Sequence, residues 1–172
     1  MFNYNLTRIS FITSRYAFGS MTKAELAKEI STQNEKVTSK TIDGCIRRAI
    51  FWGEAKELEI SALCKKEDCV ANFDTNVKSI LADKEEYKKC VIMINKIHEY
   101  FETINKLQNR TFYLNKYTAF EKIILSSKIE EFEEYFRKFF SAESLKNLNL
   151  NAEKSNFVKR SKELEKKYNI DY

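Results

Sequence analysis

The chain has 172 residues, of which 43% are apolar, with no proline and only three glycines. Because proline and glycine are the residues that break helices most strongly, their scarcity beside abundant Lys, Glu, Leu and Ile predicts an all-α fold. The formal net charge of +5 is too small for a protein that coats polyanions without regard to sequence, so nucleic-acid contact would have to come from a local patch.

The cysteines and the N-terminal stretch favour an intracellular chain without a metal centre. A structural zinc site needs two close pairs of Cys or His, whereas these four thiols repeat no spacing: Cys45, Cys64, Cys69 and Cys90. No apolar run approaches the roughly 20 residues that cross a bilayer, so we expect no membrane contact. We also expect a cytoplasmic protein that holds no cofactor. Residues 1–24 hold arginine but no acid, which also fits a mitochondrial presequence. We favour an N-terminal helix instead.

Two helices are predicted before residue 32. The first covers about residues 4–17 and stops at Gly19, with four aromatic residues as expected core anchors: Phe2, Tyr4, Phe11 and Phe18. Thr22 and Glu25 then form a capping box, in which the hydroxyl and the carboxylate each accept a backbone N–H. This box begins a short helix that runs to about Ser31.

A third predicted helix, capped by Thr38 and reaching about Trp52, has two different sides. One side is apolar over about 140° of arc, which predicts a buried stripe: Ile42, Cys45, Ile46, Ala49 and Ile50. The opposite arc is basic and is expected to face solvent: Lys40, Gly44, Arg47, Arg48 and Phe51. A recognition helix needs such a face, because phosphates must be neutralised while donors reach base edges. Whether Gly53 ends this helix is left open.

From about residue 74 to residue 108 the pattern changes to heptads. Apolar side chains recur every seven residues and predict a narrow seam that pairs helices: Ile80, Tyr87, Ile94 and Phe101, with Cys90, Ile97 and Ile104 between them. Thr118 and Glu121 form a second capping box, which opens a helix to about Phe140. We expect these two helices to fold back as an antiparallel hairpin. A last helix is predicted over about 152–168.

No arrangement of residues points to catalysis. His98 is the single histidine, and it sits on or beside the heptad seam, where we expect a packed or flanking side chain and not a catalytic base. The sequence has no Gly-rich phosphate loop, nucleophile elbow or His-Glu-x-x-His motif. We therefore predict no enzymatic activity, no catalytic residue and no metal ligand.

Residues 19–53, which are 35 of the 172 residues, resemble a known family. The resemblance is to the DNA-binding effector domain of sporulation-initiation response regulators. Three runs carry it: Gly19-Ser20-Met21-Thr22-Lys23, then Leu26-Ala27-Lys28-Glu29, then Thr38 through Ile42-Asp43 to Cys45-Ile46-Arg47-Arg48-Ala49-Ile50. In that family a Gly-Ser-Ile-Thr-Lys segment leads into a helix with an Ile-Ala-Lys-Lys core. A recognition helix ending in Arg-Ala-Ile-Arg-His-Ala-Ile follows.

The resemblance implies a helix-turn-helix that binds double-stranded DNA. Arg47 and Arg48 would contact the DNA, and Lys40 and Thr41 would lie nearest the bases or phosphates. Lys40, Thr41 and Gly44 stand where the family has Ser, Arg and Arg, so its preferred DNA sequence does not carry over. Control by phosphorylation is not implied either, since the unit follows no receiver domain.

Two parts of the chain therefore receive different expected roles. Residues 1–60 are predicted to form a helix-turn-helix domain of a transcriptional regulator. Residues 74–168 are predicted to form a helical hairpin and tail helix, with residues 74–140 contacting a second copy or a protein partner. The alternative is a helical protein-interaction module without DNA binding, such as an inhibitor or assembly adaptor of a mobile element. A third interpretation is an organellar protein that loses its first 20 residues.

Overall fold

The computed structural model describes residues 1–68, 76–112, 119–140 and 150–171. Its helices are α1 Leu6–Phe18, α2 Lys23–Ile30, α3 Ser39–Trp52, α4 Glu57–Asp68, α5 Val77–Phe112, α6 Ala119–Arg137 and α7 Leu150–Lys167. No strand occurs in these ranges, so the all-α prediction is confirmed. Within the same ranges, no helix combines the length and the apolar character needed to cross a membrane.

The chain divides into two compact units. Unit 1 comprises Met1–Lys88 and Lys162–Tyr172, and unit 2 comprises Lys89–Ser161. This division differs from the predicted one at 1–60 and 74–168. The reason is that α4, the start of α5 and the end of α7 contribute apolar side chains to the core around α3, among them Leu63, Ile80, Leu164 and Tyr168.

Unit 1 is built around α3, whose predicted apolar stripe is buried throughout. Helix α1 lies against α3 and α4, and α2 lies against α3. Helix α1 buries Ile9, Ile12 and Tyr16, whereas Phe11 and Phe18 are 59% and 61% exposed. The expectation that these two phenylalanines are core anchors is therefore wrong. They lie one heptad apart on the side of α1 opposite its buried face.

The helix ends of unit 1 follow local chemistry. The Thr22 capping box is confirmed: the Glu25 N–H donates to Thr22 Oγ1 at 3.2 Å and the Thr22 N–H to Glu25 Oε2 at 2.9 Å. At α3, Thr38 caps as predicted, and Thr41 supplies the reciprocal acceptor. Gly53 adopts the left-handed conformation with φ of 80° and ends α3. The sequence alone had not decided whether the helix stops at this glycine.

Unit 2 has its own small core. Met93 and Ile97 of α5 pack with Phe136 of α6, and aromatic and aliphatic side chains surround them: Tyr100, Phe101, Phe132, Tyr135, Phe140, Leu150 and Phe157. Tyr100 meets Phe136 edge-on at 5.5 Å between centroids. Helix α5 runs four residues past its predicted end at 108, and α6 ends at Arg137 rather than near Phe140. Thr118, the predicted cap of α6, lies outside the described residues.

Candidate nucleic-acid interface

The arc of α3 that was expected to face solvent is covered in its middle. Gly44 and Phe51 are both buried. Phe51 stacks on Tyr168, with centroids 4.2 Å apart and planes inclined by 7°. The prediction that these two residues are exposed is wrong, because the segments before α1 and after α7 return to this side of α3. Lys40 remains exposed, and Thr41 and Arg47 are half-buried.

Arg48 is engaged within the protein. Its Nε donates to the Asn169 carbonyl at 2.5 Å, Nη2 to Asn169 Oδ1 at 2.9 Å, and Nη1 to the Gly44 carbonyl at 3.0 Å. The guanidinium carbon lies 3.8 Å from the centroid of the Tyr4 ring. Burial lowers the pKa of Arg48, although a guanidinium stays charged in proteins. Three of its five N–H groups are therefore occupied, and the predicted DNA contact is not presented in this structure.

The segments that cover Arg48 are bonded to each other. The Tyr4 N–H donates to Asp171 Oδ2 at 2.9 Å, and the Asp171 N–H donates to the Tyr4 carbonyl at 3.1 Å. We call Tyr4, Asn169 and Asp171 the clasp. A Cβ at Gly44 would lie 2.8 Å from Tyr4 Oη and 3.0 Å from Arg48 Nη1. The glycine on this face therefore allows close approach of the clasp.

A buried charge cluster that the sequence did not reveal fixes α2 against α3. Lys23 Nζ lies 2.6 Å from Asp43 Oδ1 and 2.9 Å from Glu67 Oε1. All three side chains are at least nine-tenths buried. Tyr16 Oη donates to the same Glu67 oxygen at 3.3 Å. The cluster joins α1, the start of α2, α3 and α4. The only sequence signal for it is that Asp43 flanks the apolar stripe.

The α2–α3 segment, residues 20–52, contains four carboxylates, and each of them has an internal partner. Glu25 serves the Thr22 cap, Glu29 pairs with Arg15, Glu35 lies 3.0 Å from Arg8, and Asp43 pairs with Lys23. Among the cations of the segment, Lys23 pairs with Asp43, and Arg48 is held by Asn169. The other four make no ion pair with a described residue: Lys28, Lys36, Lys40 and Arg47. We call these four residues the basic edge.

The basic edge begins in a groove between α2 and α3 and continues along one side of α3. Lys28 and Lys36 line an open groove of about 450 Å³ between α2 and the start of α3, and no carboxylate is among its described lining residues. Lys40 follows in the first turn of α3, where the positive end of the helix dipole adds to the field. Arg47 lies seven residues further, on the same side. This arrangement suits an extended polyanion.

Groups with other possible chemistry are few in the described part of the chain. Burial raises the pKa of the Cys45 thiol to about 12, which makes it unreactive at neutral pH. The described ranges hold no group of three or more His, Cys, Asp or Glu placed to bind a metal, and Cys69 lies outside them. His98 is exposed beside the buried Ile97, with Nε2 3.2 Å from Glu102 Oε1, so it takes the flanking position and not the packed one.

Comparisons with protein families, with curated proteins and with solved structures find no match for this chain. The resemblance of residues 19–53 to effector domains stays a prediction. The functional proposal therefore rests on the contacts and charges of unit 1.

Proposed function

We propose that the protein binds double-stranded DNA through the basic edge of unit 1 and acts as a transcriptional regulator. The observation that carries this proposal is the distribution of charge in residues 20–52. Three of the four carboxylates there pair with a cation and Glu25 accepts the Thr22 N–H, while four cations make no ion pair with a described residue: Lys28, Lys36, Lys40 and Arg47. A local excess of unpaired cations is the electrostatic footprint of a nucleic-acid-binding surface.

The position of the basic edge supports duplex DNA as the ligand. Lys40 and Thr41 occupy the first turn of α3, and recognition helices contact base edges mainly with their N-terminal residues. A short capped helix precedes α3, as the resemblance implies. The proposed contact surface is shifted from the one expected, since Gly44 is buried and Arg48 is engaged. It consists of the start of α3, the groove beside it and Arg47.

The number of cations sets the expected salt dependence. Each phosphate contact releases counterions, so log K falls with log salt by about 0.9 per contact. Four contacts predict a slope of about −3.6. A protein partner bound through apolar surface would show almost no slope.

Fluorescence anisotropy with a labelled pool of mixed-sequence duplexes at low salt tests the proposal. Lys36→Glu/Lys40→Glu should lower affinity by about tenfold or more and flatten the salt slope by about two contacts. The matched control is Lys56→Glu/Lys78→Glu, which changes two exposed lysines of the same unit at helix starts, where an acid is tolerated. An equal loss of DNA affinity in both variants would show that the effect comes from net charge and not from the basic edge. Absence of binding by the unmodified protein would refute DNA binding.

A second candidate function is protein interaction through unit 2, with a second copy of the chain as the partner. Helix α6 exposes an apolar stripe at the spacing of one helix face: Phe120 at 69%, Ile123 at 65% and Ile124 at 39%. A dimer would double the cations presented to one DNA molecule. Sedimentation equilibrium should show a dimer, and Phe120→Ser/Ile123→Ser should give a monomer. A monomeric unmodified protein at high concentration would contradict self-association.

A further inference from the structure

We infer that the clasp of Tyr4, Asn169 and Asp171 is a releasable autoinhibitory contact that holds the protein in a state of low affinity for DNA. This inference rests on the proposed function, because the surface that the clasp covers continues the basic edge. Release of the clasp would add Arg48 to that edge and uncover the middle of α3 around Gly44.

The covered surface lies between the exposed members of the basic edge. Lys40 and Arg47 are seven residues apart on α3, and Gly44 lies between them on the same side. The Tyr4 ring sits over Gly44, close enough to exclude a Cβ there. DNA that followed α3 from Lys40 to Arg47 would therefore meet the clasp. In the closed state only the two ends of this path are open.

The polar ends of the clasp lie at the surface, whereas the Tyr4 ring is half-buried and packs, like Ile170, against the core of unit 1. Asn169 and Asp171 are exposed, so their hydrogen bonds compete with water and are weak in net terms. One residue before Asn169, Tyr168 is 2% exposed and stacked on Phe51, and its carbonyl accepts from Trp52 Nε1 at 2.6 Å. Surface segments between firm anchors open locally without global unfolding. Opening of the clasp therefore takes Tyr4 and Ile170 from the margin of the core, while the buried pair of Phe51 and Tyr168 stays packed.

Duplex DNA has the chemistry to open it. In the closed state the acceptors of the Arg48 side chain are the neutral oxygens of Asn169 and Gly44. A phosphate offers the same guanidinium an anionic partner in a bidentate geometry, which gives a stronger, charge-assisted bond. A ligand that binds the open state better shifts the population towards it, and the apparent affinity is lower by the fraction of open molecules.

An opening variant and a locked variant test the inference by anisotropy with the same duplex pool. Asn169→Ala/Asp171→Asn removes the Asn169 side-chain bond and weakens the link to Tyr4, and Glu57→Gln is the control for the gain of one positive charge at an exposed site. We expect the opening variant to bind about fivefold tighter than this control. Circular dichroism and the fluorescence of Trp52 should be unchanged, which would show that both variants are folded.

The locked variant is Tyr4→Cys/Asp171→Cys. The Asp171 N–H donates to the Tyr4 carbonyl at 3.1 Å, so the two backbones lie side by side, and a disulfide there would hold the segments together although the Tyr4 ring is lost. The oxidised form should bind DNA more weakly than the reduced form of the same variant, and oxidation of the unmodified chain serves as the control for the native thiols. Hydrogen exchange gives a direct view of the opening, since DNA should speed exchange of the Asp171 amide.

The outcomes separate the two proposals. If the unmodified protein binds DNA and the opening variant binds no better than Glu57→Gln, the clasp is only structural, and the proposed function stands. Continued protection of the Asp171 amide in saturating DNA would overturn the inference in the same way. If no form binds DNA at low salt, both the proposed function and this inference fall.

Discussion

Lys23 and Asp43 form a buried ion pair in which Nζ lies 2.6 Å from Oδ1, with the two side chains 10% and 5% exposed. Glu67 of α4 approaches the same ammonium at 2.9 Å. The position of α2 against α3, on which the basic edge depends, is thus set partly by buried charge as well as by apolar packing. A buried charge without its partner is costly, so each member of this cluster depends on the others.

Loss of the ammonium should destabilise the fold strongly. Lys23→Met leaves Asp43 and Glu67 buried beside each other without their shared cation, and we expect the free energy of unfolding to fall by about 3 kcal/mol. Urea denaturation followed by circular dichroism measures it. Lys28→Met, an exposed change on the same helix, should stay within about 0.5 kcal/mol. A loss below about 1 kcal/mol for Lys23→Met would show that the cluster is not a buried electrostatic unit.

Local features of unit 1 were predictable from sequence, and long-range ones were not. The Thr22 and Thr38 caps and the apolar stripe of α3 depend on residues within a turn or two of each other, which leave a periodic signal. Arg48 is held by Asn169, which is 121 residues away in the sequence. No sequence pattern around Asn169 indicates this contact. The same holds for the link between Tyr4 and Asp171. The sequence therefore identified the helix of the candidate site but not which part of its basic arc is free.

Replacement of Gly44 tests the close approach of Tyr4 to α3. Alanine is better than glycine in a helix by about 1 kcal/mol, but its Cβ would meet Tyr4 Oη at 2.8 Å. We expect Gly44→Ala to lower the thermal midpoint in the unmodified chain and to raise it in a Tyr4→Ala background, where only the flexible end of Arg48, with Nη1 3.0 Å from the new Cβ, has to move. A double-mutant cycle by calorimetry gives the coupling. Additive effects of the two substitutions would show that Tyr4 does not pack on Gly44.

Gly53 is the position where the backbone itself requires glycine. Its φ of 80° lies in the left-handed region, which costs a residue with a Cβ about 1 kcal/mol, and the nearest atom to a methyl group at this position would be Lys84 Nζ at 3.6 Å. Gly53→Ala should therefore lower the free energy of unfolding by about 1 kcal/mol without a steric clash. Gly53→Asn should lose less, since asparagine tolerates this conformation. Equal losses for both, measured by urea denaturation, would contradict the conformational explanation.

Tyr16 should make the stability of the fold depend on alkaline pH. Burial, together with the Glu67 carboxylate, raises the pKa of Tyr16 to about 12 from its ordinary value of 10.0. The unfolded state therefore loses the phenolic proton first, so the stability from this group is complete below pH 10 and is lost as pH rises from 10 to 12.

Urea midpoints of the unmodified protein and of Tyr16→Phe between pH 8 and about pH 11.5 measure this dependence. Phenylalanine has no proton to lose, so the stability of the variant should fall less steeply above pH 10. Other groups with raised pKa, such as Cys45 and Tyr168, titrate in both proteins and cancel in the difference. Parallel curves through this window would mean that the Tyr16 hydroxyl is not held in its neutral form by burial beside Glu67.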